Sequence, residues 1–355
     1  MRFVLVVLMM VLAGPAMAQT SDRNAVVDAA VNLVIRPGMA DFKSRASGLE
    51  SAMSALCAKP TASRVEIATQ QFKQAAMAYG RIEFLRVGPL MEDNRVDRLL
   101  FWPDRKGIGL KQVQAILASE DPTAASVTTL RGKSVAAQGF GALEFVLFGT
   151  GAETLRSPDG QFRCRYGEAI AANISNIADE LAMGWYQYDG VAAHLTRPQA
   201  DYTDYRSNRE ALEEIVGLVA HGIEAVRDTR INPFIARDGA AAKPKQALFW
   251  RAGLTMDMIR ANLDGLHKMV AVSGMARAVD EANKGLDNTI DFEFGNSVRA
   301  LDLVTLPIEQ AVVDEKQAFA LNYLVLVTGS LQSIIAEQLS TALQLSVGFS
   351  SLDGD

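Results

Sequence analysis

The chain contains 355 residues, 49% of them hydrophobic, and carries a formal net charge of −6 at pH 7. A net acidic chain without a run of basic residues is a poor match for nucleic acids or anionic membrane surfaces. The length and the apolar content provide material for a large core and favour two domains over one.

The first eighteen residues have the pattern of a secretory signal peptide. Arg2 precedes an apolar run at 3–12, and small residues follow up to Ala18. This run is shorter than the roughly twenty apolar residues that span a bilayer, and no later run reaches that length without interruption. We therefore expect cleavage after Ala18, a periplasmic location and no membrane span in the mature chain.

The rest of the chain has apolar residues at helical spacing, with prolines between the periodic runs and little strand-like alternation. This pattern predicts an all-α fold. The polar stretch 189–204 lacks periodicity, so we predict two packed up-and-down helical bundles, 19–190 and 205–355. Long helices are expected near 39–58, 62–87, 124–148, 160–187, 205–229, 245–272, 287–304 and 314–344, with short ones near 22–35 and 110–118.

Cys57 and Cys164 are the only cysteines. An even pair in an exported protein predicts a disulfide. Closing a loop of about a hundred residues adds up to about 4.7 kcal/mol of stability in the chain-entropy treatment. Two buried free thiols are the alternative.

The predicted helix 62–87 carries Glu83 and Arg86 on one face, three residues apart, just before a Gly-Pro turn. They are interpreted either as a local salt bridge or as site residues. Trp102, which precedes Pro103, is read as a packing anchor or a ligand platform. Asp104 and Arg105, which follow, could face the same cleft.

The segment 137–149 is an apolar helix pattern that contains a single carboxylate, Glu144. A buried carboxylate must be paired or hydrogen-bonded. Glu144 is therefore either an ion-pair partner of Arg86 or Arg105 that orients helices, or a site carboxylate. Gly139 and Gly141 each weaken a helix by about 1 kcal/mol, which indicates a close backbone approach or an opening beside Glu144.

A second candidate lies in the other half of the chain, where His221 and Glu224 form a His-x-x-Glu pattern. The spacing suits a metal ion, although a lone helical histidine is usually structural. Phosphate-loop, nucleophile-elbow, Cys-x-x-Cys and His-Glu-x-x-His motifs do not occur in the sequence, which lowers the expectation of an enzyme.

The residues Gly139, Gly141 and Glu144 resemble the Gly-x-His-x-x-Glu motif of the imelysin-like family, with Gly141 in place of the histidine. The chain thus resembles an atypical branch of that family. Further segments similar to the family pattern, with Glu83 and Arg86 in register, are 79–90, 101–105 and 348–355. The resemblance implies two bundles related by an approximate internal duplication, with a site between them. It also implies an exported protein tied to iron acquisition.

These observations lead to one expectation and two alternatives. We expect a non-catalytic protein that binds a metal ion, such as iron or another divalent or trivalent ion, or a small metal-bearing ligand, in support of iron uptake and with an envelope iron-uptake protein as partner. The carboxylates of Glu83, Glu144 and Asp104 suit hard cations. The expected ligand-binding residues are Glu83, Arg86, Trp102, Asp104, Arg105, Gly139, Gly141 and Glu144.

The first alternative is a zinc metallopeptidase, since some relatives of this family carry a peptidase label. It needs about three protein ligands and a bound water, and Gly141 removes an obvious ligand. The second alternative is a partner-binding envelope scaffold, in which the same polar residues are structural.

Overall fold

A computed structural model describes residues 23–104, 106–237 and 239–346. The predicted signal peptide, Arg105 and the segment 348–355 lie outside the described residues. The described chain is helical and contains no β-strand, with only one isolated bridge between Arg237 and Ala240. The predicted all-α fold is confirmed.

The first half contains five helices of ten residues or more within the described part: α1 (Arg36–Ala58), α2 (Ala62–Gly80), α3 (Ile108–Ser119), α4 (Gly139–Phe148) and α5 (Gln161–Gly184). The two predicted helices near 22–35 and 39–58 form one continuous helix. A π-helical turn, Ala30–Ile35, joins them, and the Arg36 N–H bonds to the Val31 carbonyl. Pro37, which has no N–H to donate, follows this turn by two residues, and the chain stays helical past it.

Two other predictions for this half were wrong in their boundaries. The helix expected over 62–87 ends at Gly80, and the one expected over 124–148 is reduced to α4 with short turns before it. The break before α4 has a local cause at Gly139, whose φ of 72° is incompatible with a right-handed helix. A Cβ there would lie 2.3 Å from the Leu99 carbonyl oxygen, so the backbones approach too closely for any other residue.

The second half contains α6 (Asn208–Ala225), α7 (Thr255–Ser273), α8 (Gly285–Asp302) and α9 (Glu315–Ser333). The π-helical turns Val226–Ile231 and Ile334–Leu339 extend α6 and α9. The helix predicted to start near 245 starts at Thr255, because Phe249 and Gly253 have positive φ. The remaining short α-helices are Arg95–Leu99, Val127–Leu130, Val191–Thr196, Ile308–Ala311 and Ser340–Ala342; the 3₁₀ turns are Gly88–Met91, Pro122–Ala124, Val135–Ala137, Ala152–Arg156, Pro158–Gly160, Pro244–Gln246, Met275–Arg277 and Glu281–Asn283.

Packing joins the two halves into one continuous apolar core. In the first half α1 packs against α2 and α5, and α5 against α4; in the second, α9 packs against α6 and α8, and α7 against α6 and α8. Across the halves α7 packs on α2 and on the π-helical turn Ala30–Ile35. The predicted division at 189–204 and the internal duplication stay predictions.

The disulfide expected from the sequence is present: Cys57, at the end of α1, is bonded to Cys164 in α5. It closes a separation of 107 residues within the first half. Among the described residues, one helical stretch, Glu315–Ala342, is long and apolar enough by length and composition to cross a membrane. In its most apolar window 44% of the residues are buried in the fold, and core helices of soluble proteins have the same properties.

Candidate functional site

A cavity of about 750 Å³ lies where the two halves meet. Its walls are the turn that follows α2, the helix α6 with its π-helical turn, and α7. Cavities of this size are typical of small-molecule sites, which prefer the boundary between structural units.

The cavity wall contains a buried polar group from three distant segments. Glu83 Oε1 accepts hydrogen bonds from Arg230 Nη2 at 2.9 Å and from Asn262 Nδ2 at 3.0 Å. The side chains of Glu83 and Arg230 are only 13% and 6% exposed, so this is a buried ion pair. Asn262 Nδ2 also donates to the Gly80 carbonyl at 2.7 Å, which caps the last turn of α2.

Three atoms of this group have no hydrogen-bond partner: Glu83 Oε2, Arg230 Nε and Asn262 Oδ1. A bidentate arrangement of the ion pair would join the first two, but it would leave Asn262 Oδ1 alone. Asn262 is 2% exposed. An unsatisfied buried polar atom costs about 1–3 kcal/mol, so this amide oxygen marks a place where a ligand can donate a hydrogen bond.

The opposite wall is one face of α6. The helix begins after Ser207, whose side chain accepts from the Glu210 N–H. Glu210, Glu214, Gly217 and His221 then follow at spacings of three or four residues, which places them on one face. A Cβ on Gly217 would have no atom closer than His221 Cε1 at 4.0 Å, so the glycine leaves this face open.

Most charged side chains that line the cavity are paired. Among the described residues, however, the side chains of Glu214 and Arg86 form no hydrogen bond or ion pair. Glu214 is half-buried, and burial raises the pKa of its carboxyl above the usual range, while the nearby His221 acts in the opposite direction. Arg86 is exposed. The paired groups are Glu83–Arg230, Asp204–His194, Glu210–Arg206 and Glu213–Arg209.

The π-helical turn Val226–Ile231 brings Thr229 and Arg230 to the cavity. Trp102 supports it from outside, because its Nε1 donates to the Thr229 carbonyl at 2.9 Å. Single π-helical turns often occur at functional sites. Trp102 thus holds the wall through a backbone contact and does not itself line the cavity.

Of the residues predicted from the sequence, Glu83, Arg86 and His221 line this cavity. The prediction that Glu83 and Arg86 share a helical face was wrong, because α2 ends at Gly80 and both lie in the turn beyond it. Close packing explains the end of the helix: a Cβ on Gly265 of α7 would lie 2.1 Å from the Arg81 carbonyl oxygen.

Glu144 does not line the cavity. Its Oε1 accepts hydrogen bonds from the backbone N–H groups of Arg251 at 3.0 Å and Ala252 at 3.2 Å, and its Oε2 lies 3.6 Å from Arg251 Nη1. Burial raises the pKa of Glu144, and Arg251 opposes that shift. The carboxylate therefore holds the segment before α7 against α4, and its cationic partner is Arg251. Arg86 was one of the two expected partners, and the other, Arg105, lies outside the described residues.

The other predicted residues within the described part of the chain also lie away from the cavity lining. Asp104 caps α3, accepting from the Ile108 N–H at 2.7 Å and the Gly109 N–H at 2.9 Å. Gly139 makes the close backbone approach already described, whereas Gly141 is exposed and has open space where a Cβ would be. Glu224 is buried, and its Oε2 has no hydrogen-bond partner.

Sequence reasoning missed Arg230, Asn262 and Glu214. No local pattern marks Arg230 or Asn262, since each contacts Glu83 from more than a hundred residues away. Glu214 carried a weak signal, because it stands seven residues before His221 on the same helical face. Within the described residues, no group of three or more His, Cys, Asp or Glu side chains could hold a metal ion.

A protein-family model and solved structures both match the chain. The family model described as Imelysin matches residues 35–335. The fold is similar to that of an imelysin-like protein from Psychrobacter arcticum 273-4, with a TM-score of 0.78 and 17% identity over 96% of this chain and 100% of that chain. It is also similar to a "putative iron-regulated protein A precursor" from Parabacteroides distasonis ATCC 8503, with a TM-score of 0.74 and 14% identity over 91% and 95% of the two chains. No curated protein sequence matches the chain.

Proposed function

Because the chain belongs to the imelysin family, we propose that it is an exported protein that binds a small metal-bearing ligand in the cavity between its two halves, in support of iron uptake and without catalysis. The observation that carries this proposal is the buried group of Glu83, Arg230 and Asn262, whose unpartnered oxygens belong to the cavity wall.

The donor set favours a metal that arrives with its own chelator. Carboxylate and amide oxygens such as Glu83 Oε2 and Asn262 Oδ1 suit hard cations, including ferric iron. Two such oxygens are too few to bind a bare ion, which takes several protein ligands. A chelated metal brings its remaining ligands with it, and a cavity of about 750 Å³ has room for such a complex.

Export and the link to iron rest on other features. The pattern up to Ala18 predicts a signal peptide, and the bond between Cys57 and Cys164 is typical of oxidising compartments. One structural neighbour carries an iron-regulated name. A zinc peptidase centre at Glu144 gains no support, because the oxygens of that carboxylate are engaged by Arg251 and Ala252.

Isothermal titration calorimetry on the mature protein tests the proposal. The probes are ferric citrate and ferrioxamine B, each compared with its metal-free chelator. We expect at least one ferric chelate to bind more tightly than the free chelator, and Asn262→Ala to weaken that binding about tenfold, roughly 1.4 kcal/mol.

The matched control is Asn322→Ala, which removes an exposed asparagine on α9 that lies outside the cavity. This variant should bind as the wild type does. The proposal is wrong if no ferric chelate binds, or if Asn262→Ala and Asn322→Ala bind equally well while both remain folded by circular dichroism.

A further inference from the structure

The cavity face of α6 carries one carboxylate that no described side chain pairs with. Glu214 lies on the cavity face of α6, is half-buried and makes no hydrogen bond or ion pair within the described residues. Its neighbour Glu213 is different, because it binds Arg209 at 3.0 Å and accepts from the Ser346 N–H at 2.9 Å. Holding an ionised carboxylate partly out of water without a partner is unfavourable, so a cation in the cavity would stabilise the site.

Two of the unpartnered atoms in the buried polar group, Glu83 Oε2 and Asn262 Oδ1, are acceptors, and the unpartnered donor, Arg230 Nε, belongs to the ion pair with Glu83. Asn262 Oδ1 is a buried acceptor without a partner, and the Glu214 carboxylate adds two further acceptor oxygens on the cavity face of α6. The open cation, Arg86, is exposed and lies toward solvent. The cavity therefore offers open acceptors inside, which complement a ligand with a donor-bearing, positive end, while its open cation lies at the exposed edge.

We propose that Glu214 pairs with a primary ammonium group of the bound ligand, and that Asn262 Oδ1 accepts a hydrogen bond from a ligand N–H. An ammonium group carries three donors and no acceptor, which matches the open oxygens of Glu214 and Asn262. This inference rests on the proposed function and narrows it to amine-bearing metal chelates. Glu214 is thus a specificity-determining residue.

A pair of ferric chelates that differ only in this group provides the test. Ferrioxamine B carries a free primary ammonium group on a neutral iron trihydroxamate, and its N-acetyl derivative lacks the charge. We expect the wild type to bind ferrioxamine B about tenfold more tightly than the N-acetyl form, and Glu214→Gln to remove this preference.

Two matched variants complete the design. Glu213→Gln changes the adjacent, paired carboxylate and should keep the preference. Arg86→Gln removes the exposed cation and should keep it as well, whereas a site for anionic ligands would lose binding in this variant. All variants are compared with the wild type at pH 7 by calorimetry.

The outcomes separate this inference from the proposed function. Equal binding of the two chelates to the wild type, or equal loss of both in Glu214→Gln, overturns the role of Glu214 while chelate binding as such survives. If neither chelate binds but n-pentylamine binds to the wild type and not to Glu214→Gln, the ammonium site stands and the metal-bearing ligand is wrong. Binding of none of the three probes overturns both.

Discussion

Replacing Glu144 tests whether this motif carboxylate stabilises the fold or serves a ligand. Glu144→Ala removes the acceptor for two backbone N–H groups, those of Arg251 and Ala252, and the anion beside the Arg251 side chain. An unsatisfied buried donor costs about 1–3 kcal/mol, and loss of one member of a buried ion pair costs about 3–5 kcal/mol. Relief of the desolvation that raises the pKa of Glu144 offsets part of this. We expect a loss of about 3 kcal/mol in the free energy of unfolding.

The isosteric change Glu144→Gln should be milder. Its amide oxygen can still accept from both N–H groups, and only the charge-assisted part of these bonds is lost, so about 1 kcal/mol is expected. Urea unfolding followed by circular dichroism measures both values. Glu66→Ala, at an exposed position on α2, is the control and should stay within about 0.5 kcal/mol of the wild type.

Two results would refute this reasoning. If Glu144→Ala unfolds at the same urea concentration as Glu66→Ala, the contacts with the segment at 251–252 do not stabilise the fold. If Glu144→Gln loses ferric-chelate binding while its stability is unchanged, Glu144 belongs to the ligand site and the cavity at Glu83 is not where the chelate binds.

Three further predictions concern local geometry, the disulfide and pH. Gly141→Ala should stabilise the protein by about 0.5–1 kcal/mol, since a Cβ there meets open space. Gly139→Ala should destabilise it by about 2 kcal/mol or more, because of the positive φ and the adjacent carbonyl. Thermal unfolding measures both, and a change of the same sign in the two variants would contradict the prediction. Thiol titration of denatured, unreduced protein should find no free thiol at Cys57 or Cys164, and reduction should lower stability by up to about 4.7 kcal/mol. Burial raises the folded-state pKa of Glu214, so its carboxyl keeps its proton to higher pH in the folded state than in the unfolded state. The contribution of Glu214 to stability therefore falls as pH rises above the unfolded-state pKa near 4.5. Glu214→Gln should be more stable than the wild type at pH 7, and a stability difference that grows toward acid pH would contradict this.

The sequence alone determined the features that depend on local periodicity and composition. Apolar residues at helical spacing gave the all-α class and most helix positions, because a helix buries one face wherever its neighbours lie. The pairing of Cys57 with Cys164 was predicted because the sequence has two cysteines and the chain is predicted to be exported. Gly139 and Gly141 predicted either a close backbone approach or an opening beside Glu144; the structure places the Leu99 carbonyl against Gly139 and leaves open space at Gly141.

Tertiary structure decided where the helices end and which polar groups meet. The end of α2 at Gly80 depends on Asn262 and on the close approach of α7, which no local pattern contains. The partners of Glu144 include two backbone N–H groups, and every residue except proline has such a group, so sequence cannot single them out. Arg230 reaches Glu83 across 147 positions through a π-helical turn, and Asn262 reaches it across 179. Helix formation is local, whereas a buried polar site is assembled only when distant helices pack, and for that reason the cavity residues could not be derived from the chain alone.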